Sequence, residues 1–411
     1  MENLKSVQSL TKTLPVVPFS EEMAQELLAI YGSPVYVYQS QKIQDTIQQI
    51  TNALIYPQTR LCFASVTNGN VALLQIFQQA GWGLHSNTPG DVYLGLKAGF
   101  NPKQIVYSGS NLSRAEMEQM LDWQVGNFNL DSLAQLELLG DVWQNCNSDF
   151  TPLLGLRLNL PEITGDSRIG VHPAEFPQAI ALAQSAKLKL SGLHFYRGTG
   201  TNATTAFTQV IDPIIRTAQK LPDWEYLDFG GGFGYPYRME GVAFDWVLFG
   251  NELNQKLSSL ERQVNLIIEP GRAAIASAAL LLAKVISVKW QEEKQIIGTD
   301  TSIANLAVLS VHGGYREIVS WQNSSDAKSH LTDVCGNTTY SRDYLGKNCQ
   351  LPALQIGDII GILDVGAYGY AMSSHFLHRP RPAEVLLTNH QHRLIRQRED
   401  YSALLQNQVW E

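Results

Sequence analysis

Eight short runs rich in β-branched and aromatic residues punctuate the stretch from residue 60 to residue 270: "RLCFAS", "WGLHS", "QIVYSG", "GNFNLD", "LLGLRLN", "LSGLHFY", "EYLDFGG" and "NLIIEP". Most of the gaps between them hold a segment long enough for a covering helix, as at 88–98 and 113–123. Strands that alternate with helices form a parallel sheet, and eight is the number at which such a sheet closes into a barrel. The spacing therefore predicts an α/β chain with a (β/α)8 TIM-type barrel over residues 40–272. An open parallel sheet satisfies the same count.

The flanks read differently. An amphipathic helix is expected around Glu21 to Tyr31, then the alternating run "SPVYVYQ", then a helix beginning near Ser40. Beyond Arg272 come β-rich segments such as "LLLAKVISVKW", "QIIGTDTS" and "DIIGILDVG", with turns at Gly and Asp. Residues 1–39 and 273–411 are thus expected to form a second, all-β domain. The apolar stretch 273–288, interrupted by Ser277 and Lys284, reads as a buried strand-like segment and not as a membrane span.

A net charge of -8 without a dense Lys/Arg cluster argues against a phosphate polymer as partner and for a small molecule. The first residues lack an apolar core between a basic stretch and a cleavage site, so the expected address is the cytoplasm. Cys62, Cys146, Cys335 and Cys349 form no C-x-x-C pair and read as reduced thiols. No metal-ligand spacing occurs, and no metal is expected.

Two motifs carry chemistry. In "YLDFGGGFGYPY", Gly230, Gly231, Gly232 and Gly234 follow a strand, and consecutive glycines let backbone N–H groups converge on an anion. The late strands of a barrel are where phosphate is held, although a tight turn alone also uses glycine. In "IIEPGR", Glu269 can pair with a protonated ring nitrogen, and Arg272 can fork onto a carboxylate or phosphate. The bland alternative is an ion pair between the two.

In this order, "GLHFY-GT", "LDFGGGFG", "EPGR", "GAYGYAM" and "RPRPAEVL" resemble the ornithine/diaminopimelate/arginine decarboxylases, the alanine-racemase-like pyridoxal phosphate enzymes of fold type III. The likeness runs from "GSPVYVY" to "RPAEVLL" and includes "LGLKAGF", "IVYSGSN", "NLDSLAQLELL" and "SRIGV". It implies a barrel with a C-terminal β domain, pyridoxal 5'-phosphate as cofactor, and a head-to-tail homodimer with shared active sites. Carried over residue by residue, it puts Gly230, Gly231 and Gly232 at the cofactor phosphate and Glu269 at the pyridine nitrogen. It places Arg272 at the phosphate or carboxylate end and Arg157 near the ring oxygen. Tyr368 and Thr199 are implied at the phosphate, and Asp343 in the loop given by the second subunit.

The departures fall on the catalytic positions. Where the family reads Phe-Ala-Val-Lys-Ala-Asn, this chain reads Phe63-Ala64-Ser65-Val66-Thr67-Asn68, and no lysine occurs between Lys42 and Lys97. Val66 stands at the Schiff-base lysine, so the cofactor is expected without a lysine aldimine. Tyr196 replaces the histidine that stacks on the ring, Thr339 replaces a cysteine of the partner loop, and His85 stands where the family has an aspartate. His85, Thr67, Tyr196, Arg197 and Tyr340 are candidates to ring the vacated space. An exposed polar side chain at a loop end is the equal alternative for Arg197 and Tyr340, and a lone histidine such as His85 is more often a hydrogen-bonded structural residue than a base. Three functions follow: a decarboxylase-like protein acting on an amino-acid-derived small molecule without the usual anchor, a silent homologue that binds pyridoxal phosphate or another phosphate ligand and acts by binding or assembly, or an altered enzyme whose pocket serves different chemistry on a phosphorylated or carboxylated metabolite.

Overall fold

The computed structural model describes residues 17–146, 150–198, 200, 202–322 and 328–410. After a helix Glu21–Tyr31 and strand β1 (Val35–Gln39), the chain enters eight parallel strands: β2 (Thr59–Ala64), β3 (Gly83–Ser86), β4 (Ile105–Tyr107), β5 (Asn127–Leu130), β6 (Leu153–Arg157), β7 (Leu190–His194), β8 (Tyr226–Asp228) and β9 (Asn265–Ile268). They pair in chain order, and β2 pairs with β9, so the sheet closes. The barrel is closed, and the open-sheet alternative is set aside.

Local chemistry explains the covering helices. In Ser40–Ala53, Ile43, Ile47 and Ile50 recur on one face and are buried, the spacing that a 3.6-residue period brings to one side. Helix Pro89–Ala98 starts on a capping box made by Thr88 and Asp91 and ends at Gly99 in a left-handed conformation. A second capping box, Ser113 with Glu116, starts Arg114–Asp122. Most of the apolar core lies between strands and helices, where Phe63 stacks on Phe77 at 3.8 Å between ring centroids. A smaller cluster of Cys62, Val106, Tyr226 and Ile267 stands apart from that core. Gly192 belongs beside it because a Cβ there would overlap the Tyr226 ring at 1.9 Å.

The second domain is mostly sheet. Its strands are β10 (Ala279–Gln291), β11 (Lys294–Thr299), β12 (Ile318–Ser320), β13 (Ser329–Cys335), β14 (Tyr344–Pro352), β15 (Ile359–Ile362), β16 (Ala383–Thr388) and β17 (Gln391–Arg396). They run β14-β13-β11-β10-β1-β16-β17, with β15 joining β10 to β12. β1 thus sits at the centre, antiparallel to β10 and parallel to β16.

The stretch 273–288 corrects one expectation. Its first part, Arg272–Ile275 and Ala276–Ala278, is helical, and the strand begins at Ala279. Alanine favours helix, and these turns carry the chain out of the barrel mouth before it can pair with β1. Among the described residues no helix is long and apolar enough to cross a membrane.

Candidate active site

The carboxyl ends of the barrel strands surround a cavity of about 270 Å³. At the end of β8, Gly230 (φ 65°) and Gly232 (φ 96°) adopt left-handed backbone. A Cβ on Gly230 would lie 2.0 Å from the Phe195 carbonyl oxygen, one on Gly231 2.7 Å from that of Glu269, and one on Gly232 2.3 Å from that of Gly198. The glycines are therefore required by close backbone approach within the protein itself. Their compactness leaves the N–H groups of Gly231 and Gly232 without an acceptor among the described residues, on the cavity wall. An anion can take them.

Arg272 and Tyr368 complete that side. Arg272 Nη1 donates to the Tyr237 hydroxyl at 2.9 Å, its Cζ lies 4.8 Å from the Tyr368 ring centre, and its Nε has no partner. Tyr368 adopts φ 59° and donates its N–H to the Thr67 carbonyl at 2.9 Å, a left-handed conformation uncommon for a bulky residue. Thr199 lies outside the described residues.

On the floor, Glu269 is buried, and its Oε1 has no partner. Its Oε2 stands 3.4 Å from both His85 Nε2 and His194 Nε2. His85 also makes a short hydrogen bond to the Ser108 hydroxyl. Burial pushes both imidazoles down, His194 to about 4 and His85 well below its usual range, so both are neutral. Beneath them Asp228 accepts from Asn129 Nδ2 at 2.7 Å and from the Gly230 N–H at 3.0 Å. Burial raises both carboxyls, Glu269 to about 7 and Asp228 well above its ordinary range. The adjacent pair therefore holds a proton near neutral pH. Sequence spacing gave no metal set, yet the fold brings ligand atoms of His194, Asp228 and Glu269 within 4.8 Å of one another.

The opposite wall is mixed, with Ala64 and Val66 apolar and Thr67 and Tyr196 polar. Val66 sits in the Ser65–Thr67 turn after β2, 42% exposed and facing the cavity. No lysine is among the residues lining it. Thr67 and Tyr196 join the wall as expected, with Arg157 5.1 Å from the Tyr196 ring centre. Arg197 and Tyr340 are not in it; the Tyr340 ring packs edge-on to Phe376.

Asp343 is engaged within its own loop and does not line this chain's cavity. It is buried, one carboxylate oxygen accepts the Ile303 N–H at 2.9 Å, and the other accepts the Thr338 N–H at 3.0 Å and the Thr338 hydroxyl. Both oxygens thus brace the loop that carries it. Thr339 is exposed on that loop and does not line this chain's cavity. Residue-by-residue reading also missed His194, Asp228 and Ser108. Their signal was inward alternation: His194 ends β7 and Asp228 ends β8, two residues after the Gly192–Tyr226 pair.

The pyridoxal-dependent decarboxylase profile, pyridoxal binding domain, matches residues 40–276. The chain belongs to the pyridoxal-dependent decarboxylase family. It is 31% identical over 403 residues to a diaminopimelate decarboxylase of Methanothermobacter thermautotrophicus, covering 94% of each chain. It is 28% identical to that of Aquifex aeolicus, covering 93% of each. Diaminopimelate decarboxylase from Helicobacter pylori complexed with L-lysine superposes with a TM-score of 0.83 at 26% identity, over 93% of this chain and 98% of that one. The M. jannaschii enzyme, at 22% identity and TM-score 0.89 over 94% of each chain, shares the fold.

Membership implies pyridoxal phosphate, and the cavity fits that cofactor in two of three respects. The unclaimed N–H groups of Gly231 and Gly232 with Arg272 suit a phosphate, and the unpartnered Oε1 of Glu269 suits a ring nitrogen. For the aldehyde this pyridoxal-dependent decarboxylase relative offers a valine.

Proposed function

We propose that this protein binds pyridoxal phosphate without a covalent bond to it and acts on an amino-acid-derived small molecule. The observation that carries this reading is Val66, which lines the same cavity as Gly231, Gly232, Arg272, Tyr368 and Glu269. When bound, the cofactor supplies an electron sink for bond breaking next to a substrate amine. The chain's own contribution is positional. Gly231, Gly232, Arg272 and Tyr368 hold the phosphate, with Thr199 assigned there by resemblance; Gly230, expected there too, gives its N–H to Asp228 and shapes the turn instead. Arg157 and Tyr196 flank the ring, and Glu269 meets its nitrogen while His85 and His194 fix the carboxylate. Val66 can neither tether the aldehyde nor move a proton. A homodimer would bring Thr339, exposed on its loop, to a second copy's cavity.

Catalytic silence is the second reading, favoured by the same valine. The two share one test. Purified protein mixed with pyridoxal phosphate is expected to show the absorbance of free or hydrated aldehyde, with no protein adduct after borohydride reduction. A phosphopyridoxyl-lysine found by mass spectrometry would overturn non-covalent binding. Carbon dioxide release from a panel of amino acids then separates an enzyme from a silent binder.

A further inference from the structure

A second cavity of about 420 Å³ is lined from both the glycine-loop side and the sheet domain, by Arg238, Tyr315, Arg316, Arg342, Tyr344 and Lys347 among others. Among the described residues lining it, four are cationic and none is acidic, on a chain of net charge -8. Arg316 is the unusual member. It is 3% exposed, its Nη1 donates to the Tyr315 carbonyl at 2.8 Å, and its Nε and Nη2 have no partner among the described residues. Its Cζ lies 3.5 Å from the Tyr237 ring centre, and the hydroxyl of that same tyrosine accepts from Arg272 of the first cavity. One aromatic ring thus links two guanidinium groups, one in each cavity.

The neighbouring cations also rest on rings: Arg238 Cζ lies 4.2 Å from the Tyr315 centroid and Lys347 Nζ 3.8 Å from that of Tyr344. Two acids stand near, Glu317 accepting from the Tyr315 hydroxyl and Asp364 from that of Tyr235; the Asp364 charge acts on Arg316, but among the described residues neither acid hydrogen-bonds its guanidinium. A guanidinium stripped of water and left with unmade hydrogen bonds is costly, and a forked oxyanion supplies the missing acceptors.

We propose that this second cavity binds an oxyanion, a carboxylate or phosphate group, on Arg316, with Arg238, Arg342 and Lys347 at its rim. The oxyanion is either the far end of a molecule whose other end occupies the first cavity or a separate anion. The contact to Arg316 stands on the geometry of the second cavity; only the first of these alternatives rests on the reading of the first cavity.

Titration calorimetry on the full chain tests it with inorganic phosphate, glutarate, 2-aminoadipate and norleucine, after saturation with pyridoxal phosphate. One oxyanion per chain is expected to bind, weakened roughly tenfold or more by Arg316→Met. The exposed rim variants Arg342→Gln and Lys347→Gln weaken it by a smaller factor and decide the matter if Arg316→Met does not fold. Gly231→Ala, which disturbs the first cavity, leaves phosphate binding here unchanged, so failure of the pyridoxal reading remains distinguishable. A preference for 2-aminoadipate over norleucine that disappears in Arg316→Met assigns the oxyanion to the far end of a longer ligand. Phosphate binding without that preference assigns it to a separate anion. The proposal is overturned if none of the anions binds at millimolar concentration, or if their affinities are the same in the Arg316 and rim variants.

Discussion

The β8–β9 side of the first cavity and its β2 side are built to different standards. On the first, left-handed glycines, a left-handed Tyr368 and a buried Glu269 are each held in a demanding state by neighbours they cannot escape. On the second, a valine rides on a three-residue turn with its side chain in the open. Non-covalent grip and covalent tether therefore occupy separate strands, and one can be absent while the other is intact. The grip is woven into the barrel mouth by carbonyl contacts, whereas the tether is a single side chain.

The largest way to probe that contrast is to put the amine back. Val66→Lys is expected to give a new absorbance band with pyridoxal phosphate and a borohydride-fixed adduct at residue 66. Absence of both would mean that the β2 wall is wrong in more than one side chain.

Glu269 offers the next test. With its native value raised to about 7 from an ordinary 4.5, the folded chain keeps a proton that the unfolded chain has released, so this group's contribution to stability falls as pH rises between those values. The buried histidines titrate in the opposite sense. The comparison with Glu269→Gln therefore isolates the carboxyl: the stability of the wild type relative to that variant should decline between about pH 5 and pH 7.5, followed by thermal unfolding. A pH-independent difference would place the proton elsewhere in the pair.

Gly231→Ala is the mildest. Its Cβ would press on the Glu269 carbonyl, and overpacking of this kind costs about 1–3 kcal/mol. A lower melting temperature with weaker pyridoxal phosphate binding is expected. Lower stability with unchanged affinity would confine the glycine to backbone packing.

Much of this was visible in the chain. All eight barrel strands could be read because each is a short apolar run between turn residues, a strictly local property. The glycine loop and the Glu-Pro-Gly-Arg phrase announced the anion-binding and ring-binding side in the same way, and the missing lysine was plain. The commitments of Asp343 within its loop and the place of Arg197 outside the cavity lining were not legible, because a motif position says nothing about which atoms a side chain has already committed. The helical start of 273–288 was missed because apolarity alone does not separate a buried helix from a buried strand.

The sequence by itself determined the alternation of strands and helices, the sites where glycine is obligatory, and the absence of an amine after the first barrel strand, since these depend on residue type and near neighbours. Only the tertiary structure decided that His85, His194 and Asp228 gather around Glu269, that Asp343 serves its own loop, and that Arg316 lies buried beside Tyr237. Each of those joins residues far apart in the chain, and burial, which sets their charge states and leaves their hydrogen bonds made or unmade, exists only once the chain has closed around them.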